Sequence, residues 1–361
     1  MKKLYIGVMS GTSLDGVDVV SCVIDKETCK LLHSYEYDFD KGLKSDILLT
    51  INGETTLKTI GEIDTRLGYL YAKCINDFTQ KFDIKKEDIE AVGVHGQTLW
   101  HEPNSKTPFS MQLGNASVVQ VQTGLKIVSD FRQKDIALGG QGAPFAPAFH
   151  EFLFSSLKKS VAVLNIGGMA NITLISDKLQ GYDTGCGNVL LDFWINKNKN
   201  SAYDKDGVWA KSGEINNELL ADILAESFFK RNAPKSTGRE LFNETWLDKY
   251  LQNYQDLKAE DVQATLLALT VKSIANEVKK TKIDLLIVCG GGVKNKELMR
   301  SLSEELVTVK VVPSDEVGVS SDFMEAMAFS WLGYKRVKKE KVNLSSVTGA
   351  KQNTILGCIY E

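Results

Sequence analysis

Lys3-Leu-Tyr-Ile-Gly-Val-Met-Ser-Gly-Thr-Ser-Leu-Asp-Gly-Val-Asp-Val-Val20 is the stretch that decides how this chain is read. Apolar and β-branched runs flank a glycine turn, which is the pattern of strand, turn, strand. The same order returns at Val161-Ala-Val-Leu-Asn-Ile-Gly-Gly-Met-Ala-Asn-Ile-Thr-Leu-Ile175. One such turn is a weak signal, since 10–16 alone reads equally well as a tight hairpin. Two of them imply two similar lobes that offer backbone N–H groups from opposite sides of a cleft, an arrangement suited to a polyphosphate. The expectation is a nucleotide-using enzyme.

Working outward from the first turn, runs at 3–9, 16–24 and 30–39 predict an antiparallel meander, and 161–166, 171–176 and 179–183 predict its copy. Helical spacing covers 43–81, and Ile89–Val94 returns to strand. Beyond the second meander the spacing predicts helices over 188–195, 216–229 and 261–279. A buried strand over 283–289 follows, then a helix from Asn295, a strand over 307–312 and a helix over 323–333. Segments 198–207 and 232–240 read as long loops. The fold class is α/β, with mixed sheets duplicated around a cleft.

Composition narrows the function. With 43 Lys+Arg against 46 Asp+Glu the net charge of the 361 residues is -3, so no overall basic field exists to hold nucleic acid or an anionic membrane. The basic run Lys335-Arg-Val-Lys-Lys-Glu-Lys341 reads as a solvated helix end. No stretch approaches the roughly 20 apolar residues of a membrane span, and the apolar run after Lys2-Lys3 is too short for a signal peptide. The six cysteines show no C-x-x-C pair and no metal-ligand spacing with His, so they read as reduced thiols in a cytoplasmic protein.

The glycine turns fit no common nucleotide motif. Val17-Asp18 stand where a P-loop would have Lys-Ser/Thr, and no G-x-G-x-x-G follows a strand. What remains is a different phosphate clamp, built from Gly11, Thr12 and Ser13 in one lobe and Gly167 and Gly168 in the other. Gly290, Gly291 and Gly292 follow a buried strand at the end where open α/β sheets place ligands, although a packing turn is the alternative.

Nine segments in order then resemble one family. They are Met9-Ser-Gly-Thr-Ser-Leu-Asp-Gly-Val-Asp18, Gly93-Val-His-Gly-Gln-Thr98, Ser129-Asp-Phe-Arg132, Gly139-Gly-Gln-Gly-Ala-Pro144, Asn165-Ile-Gly-Gly-Met-Ala-Asn171, Asp183-Thr-Gly-Cys-Gly-Asn188, Ser236-Thr-Gly-Arg-Glu-Leu-Phe242, Gly290-Gly-Gly-Val-Lys-Asn295 and Glu325-Ala-Met-Ala-Phe329. The chain is similar to anhydro-N-acetylmuramic acid kinases, within the superfamily of sugar kinases, heat-shock ATPases and actin. That resemblance implies a two-lobed, actin-like and ribonuclease H-like fold, with residues 1–135 plus 343–361 in one lobe and 136–342 in the other. It also implies ATP and Mg²⁺ as cofactors, hinge closure on ligands, and compatibility with a homodimer. The implied reaction converts 1,6-anhydro-N-acetylmuramic acid and water to N-acetylmuramic acid 6-phosphate in cell-wall recycling.

By the same resemblance Asp183 is the base that activates water, while an Asx turn is its structural alternative. The context places it at a strand end before a helix N-terminus, which would lower its pKa unless burial raises it. The first turn is expected to bind nucleotide through Gly11, Thr12, Ser13, Asp15, Gly16 and Asp18. The second turn joins it through Gly167 and Gly168, and Gly290–Gly292 would accept the adenosine. Arg132 is the expected partner of the sugar's lactyl carboxylate; His95, Gln97 and Glu325 are further substrate contacts. Two departures stand out. Cys186 replaces the usual Pro or Ala, and Val8 occupies the place of a superfamily Asp that organises Mg²⁺, leaving Asp15 or Asp18 open for that role and the metal ligands unknown. A hexose or N-acetylhexosamine kinase, a partner-driven ATPase and a silent sugar sensor are the competing readings.

Overall fold

The computed structural model describes residues 3–11, 14, 16–53, 55–157, 159–176 and 178–361. Thr12, Ser13 and Asp15 of the first turn lie outside the described residues. The chain divides into two compact units, 1–153 with 323–361, and 154–322.

In the first unit β1 (Leu4–Met9), β2 (Gly16–Ile24) and β3 (Cys29–Asp38) form the expected meander, with β1–β2 and β2–β3 antiparallel. β4 (Ile89–Val94) and β7 (Ile127–Ser129) extend the other edge in parallel, giving the order β3-β2-β1-β4-β7. A C-terminal strand, Cys358–Tyr360, adds antiparallel to β7. Helical spacing over 43–81 resolves into two helices, Lys41–Ile51 and Leu57–Lys81, separated at Asn52-Gly53, where Gly53 takes a φ of +89°. Asp40 and Thr56 cap their N-termini by accepting from Leu43 N–H and Thr59 N–H, which satisfies donors that a helix start leaves orphaned.

The second unit repeats the plan. β8 (Val161–Ile166), β9 (Met169–Ile175) and β10 (Gln180–Cys186) form an antiparallel meander, and β11 (Leu285–Cys289) and β12 (Lys310–Pro313) follow in parallel. The order is β10-β9-β8-β11-β12. Both sheets therefore have the 3-2-1-4-5 order with only the second strand reversed, the arrangement of the actin-like, ribonuclease H-like class. Each unit has its own apolar core, around Ile6, Val92 and Phe78 in one and Leu164, Leu266 and Phe242 in the other.

The structure corrects several sequence expectations. β10 runs to Cys186 rather than ending at 183. The helix expected over 216–229 breaks at Ala225-Glu226 into Asn217–Leu224 and Ser227–Lys230. A hairpin of β5 (Gln97–Glu102) and β6 (Phe109–Leu113) stands where no strands were expected. Residues 136–153 and 323–342 belong with the first unit, not the second. The physical reason lies in two glycines. Gly7 and Gly93 face each other across β1 and β4, and helix Met324–Val337 lies so close that a Cβ on either would sit 2.0 Å from the carbonyl oxygen of Ala326 or Phe329. Only bare backbone admits that approach.

No helix among the described residues is long and apolar enough to cross a membrane. None of the six cysteines is disulfide-bonded, and five are buried. In the basic run Lys335 pairs with Glu340 at 2.6 Å and Arg336 donates to the Gly357 carbonyl, as a helix end engaged with its own surroundings should.

Candidate active site

Asp183 lies within β10, opposite Asn171, at a bulge after which Gly185 pairs with Ala170. An extra residue in one strand re-aims a side chain and frees backbone groups from the ladder. On this edge strand Asp183 N–H donates to the Lys235 carbonyl at 3.0 Å. One carboxylate oxygen, Oδ2, accepts from Ser236 Oγ at 3.1 Å and from Thr237 N–H at 2.9 Å. Among the described residues Oδ1 has no hydrogen bond. Burial pushes the carboxyl above the usual aspartate range, and the two hydrogen bonds pull the other way. The expected lowering by a helix N-terminus is thus replaced by a raised, more basic carboxylate. The seat is loop 232–240, which the sequence marks as irregular but whose contact with Asp183 it does not reveal.

The β8–β9 turn is locked onto the following helix. Gly167 N–H donates to the Met169 carbonyl, the Gly167 carbonyl accepts from Asn188 N–H, and the Gly168 carbonyl accepts from Gly187 and Val189 N–H. Gly167 has spent its donor within the turn. The Gly168 N–H makes no backbone bond among the described residues, and its Cα hydrogens face open space apart from Val189 at 4.0 Å. The turn abuts the start of helix Val189–Lys199, and helix N-termini favour anions. Cys186 sits buried in the core beside Met169, so this small side chain leaves the turn intact.

The triple glycine divides in role. Gly290, at φ +83°, donates its N–H to the Ser321 carbonyl, and a Cβ there would sit 2.3 Å from Asn165 Oδ1. Gly292 packs on Ile166 in the same way, whereas a Cβ on Gly291 would meet nothing within 4 Å. Gly290 and Gly292 are packing glycines, and Gly291 alone presents bare surface. Gly16 is likewise a packing residue, its Cβ position lying 2.6 Å from Glu36 Oε1. Gly11 closes its turn by accepting from Leu14 N–H, and Asp18 pairs in register with Met9 and Glu36.

In the first unit His95 emerges from β4 against Phe329, ring centroids 4.5 Å apart. Its Nε2 is 2.8 Å from an Arg132 terminal nitrogen, and the other terminal nitrogen donates to the Gly142 carbonyl at 3.0 Å. Burial and the neighbouring guanidinium hold the imidazole well below its ordinary pKa, so it is neutral at pH 7. A guanidinium can only donate, hence Nε2 accepts and the proton resides on Nδ1. Nδ1 of His95, Oε1 of Gln97 and Nε of Arg132 are all buried without a partner. Buried polar groups left unmet cost about 1–3 kcal/mol each, which marks this cluster as polar and tightly held. Glu325 starts the neighbouring helix and is exposed; desolvation nevertheless raises its carboxyl and Arg132 lowers it. Arg132 and His95 were singled out separately from sequence, and the structure joins them.

Among the described residues no group of three His, Cys, Asp or Glu could hold a metal. Val8 is wholly buried between Val19 and Val94 and offers no ligand. A kinase Mg²⁺ typically rests on substrate phosphates, water and one or two carboxylates rather than a protein cage, so the described donor set leaves its ligands unassigned. A cavity of about 270 Å³ in the second unit, lined by Leu157, Lys159, Leu285 and Lys310 among others, contains none of these residues. It sits beside the start of β11, away from the strand ends that carry them.

Two mixed sheets that share the 3-2-1-4-5 strand order, in two units, define the actin-like fold class. The chain belongs to the anhydro-N-acetylmuramic acid kinase family, whose sequence pattern spans residues 3–361. It is 61% identical to the anhydro-N-acetylmuramic acid kinase of Sulfurimonas denitrificans over 100% of both chains. Against that of Sulfurovum sp. it is 54% identical over 99% of each. Against that of Pasteurella multocida it is 49% identical over 99% of this chain and 96% of the other. Family membership makes it a kinase with an alcohol-group acceptor.

Proposed function

We propose that this kinase opens 1,6-anhydro-N-acetylmuramic acid with water and phosphorylates O6, giving N-acetylmuramic acid 6-phosphate for reuse of cell-wall sugar. The observation that carries the reading is Asp183, a carboxylate made more basic by burial, with Oδ2 tied down and Oδ1 left open. Oδ1 takes a proton from water as the water oxygen bonds to C1. The C1–O6 bridge bond breaks, and O6 bonds to the γ-phosphorus as ADP leaves. The atoms balance with one water and one ATP consumed.

ATP supplies the phosphoryl group. In the second unit Gly168 N–H and the Val189–Lys199 helix start support a role in holding phosphate, and Gly291 offers surface for the nucleoside. Gly11, Thr12, Ser13, Asp15 and Asp18 remain the proposed contribution of the first turn, with Mg²⁺ carried on the phosphates. Arg132 is proposed to meet the lactyl carboxylate, now through Nε and the hydrogens left over from Gly142 and His95. His95 Nδ1–H and Gln97 Oε1 are matched to an acceptor and a donor such as the N-acetyl group presents, with Glu325 alongside. Unpaired cysteines support the cytoplasm as the place of action.

The test is a product assay with anhydro sugar, ATP and ¹⁸O-water. The label is expected at C1 and the phosphate on O6. Label-free product, or phosphorylation only of the already opened sugar, would favour a generic hexosamine kinase.

A further inference from the structure

Loop 232–240 is fastened by a charge pair that neither core packing nor phosphate chemistry requires. Lys235 Nζ lies 2.7 Å from Glu277 Oε1, with side chains only 1% and 4% exposed, and 4.8 Å from the Phe228 ring centroid. A lysine in an irregular polar loop ordinarily keeps its head in water. Glu277 projects from the buried helix Ala259–Lys279. The same carboxylate accepts from Lys280 at 2.9 Å, and burial, together with its charge, raises the pKa of the Tyr182 hydroxyl.

Glu277 therefore holds the chain at Lys235, whose carbonyl accepts the Asp183 N–H. The next two residues, Ser236 and Thr237, hold Oδ2. We propose that Lys235 and Glu277 are positioning residues for the reaction, fixing the 235–237 segment and through it the direction in which Asp183 presents Oδ1. This rests on the reading of Asp183 as the base. A purely stabilising role is a poor explanation, because apolar residues of similar volume often stabilise a core as well as a buried ion pair does.

The test is the double variant Lys235→Met/Glu277→Leu, which removes both charges and keeps the volume. Four readouts are taken: thermal unfolding, kcat and KM, the pH dependence of kcat, and amide exchange at Asp183 and Thr237. The variant is expected to unfold near the wild-type temperature with KM for ATP unchanged. Its kcat should fall about 10- to 100-fold, the scale of a 1 Å misplacement. The acid limb of kcat should move to higher pH as the carboxylate loses its two donors, and both amides should exchange about tenfold faster or more. A folded variant with native kcat, acid limb and exchange overturns the proposal, as does a lowered Tm with those three unchanged. If the double variant does not fold, Glu277→Gln, which keeps an acceptor for Lys235, carries the same readouts. Asp183→Asn is measured beside it. Retained turnover there removes the base assignment, while faster exchange at Thr237 in the double variant still reports the anchor.

Discussion

The two copies of the 3-2-1-4-5 sheet differ most at their third strands. β3 pairs with β2 with one irregularity, between Ser21 and Cys22, far from its acids, which reach the strand's end, where Glu36 packs over Gly16 and Asp38 stands opposite it. β10 is interrupted by a bulge at Asp183, and Gly185 there takes a φ of +152° with Phe229 and Ser273 against it. Both are edge strands, but only β10 has its irregularity at an acid that a second element, residues 235–237, then holds. An acid on a strand becomes chemically useful when the ladder releases it and a second element seats it. The first and fourth strands differ as well. The paired positions Gly7 and Gly93 are matched in the second sheet by the paired Leu164 and Val288, so the helix approach that brings Phe329 beside His95 belongs to the first unit alone.

The largest test of this asymmetry is Asp183→Asn. It should lower kcat about 10³-fold, within the 10²–10⁴ of a general base, with ATP binding kept by calorimetry; Glu36→Gln in the other copy should leave kcat unchanged. Equal losses would end the division of labour. Next comes Gly93→Val, which forces a side chain onto the Phe329 carbonyl and should destabilise by about 3 kcal/mol in chemical denaturation. Arg132→Gln leaves the sheet intact and removes a buried cation, so KM for the sugar should rise about 10- to 100-fold with KM for ATP unmoved.

Ser236→Ala removes one of two donors to Oδ2. It should lower kcat a few-fold and shift the acid limb upward, since a hydrogen bond to the charged form lowers a pKa. The smallest effect concerns His95, whose pKa is depressed in the fold. Its contribution to stability is intact above the ordinary histidine value of about 6.5 and is lost as pH falls below it. Denaturation from pH 8 to 5 should show a steeper loss for the wild type than for His95→Gln.

Much of this was legible from local sequence. Both meanders, the second glycine turn and loop 232–240 are short-range patterns, and the chain forms them close to the expected residues. What sequence reading missed is long-range. The partnership of Arg132 with His95 spans 37 residues, and that of Asp183 with Thr237 spans 54; no periodicity encodes either. Gly290 and Gly292 could not be told from ligand-binding glycines, because close packing and close approach of a ligand ask for the same missing Cβ. The β5–β6 hairpin escaped because its residues, including His101, Ser110 and Gln112, are polar and pair with one another, which mutes the alternation that marks a strand. The unit boundary was misplaced because helix Met324–Val337 is apolar on nearly all sides and names no partner.

That helix has a consequence for how the chain is made. Because 323–361 completes the first sheet, the entire second unit is an insertion into the first. The faces of Gly7 and Gly93 stay uncovered until residues 324–337 exist, whereas 154–322 holds all five strands of its own sheet. During synthesis the second unit has its full complement of strands before the unit that began first. Pulse-labelled amide exchange on refolding should show protection in β8–β12 ahead of β1 and β4.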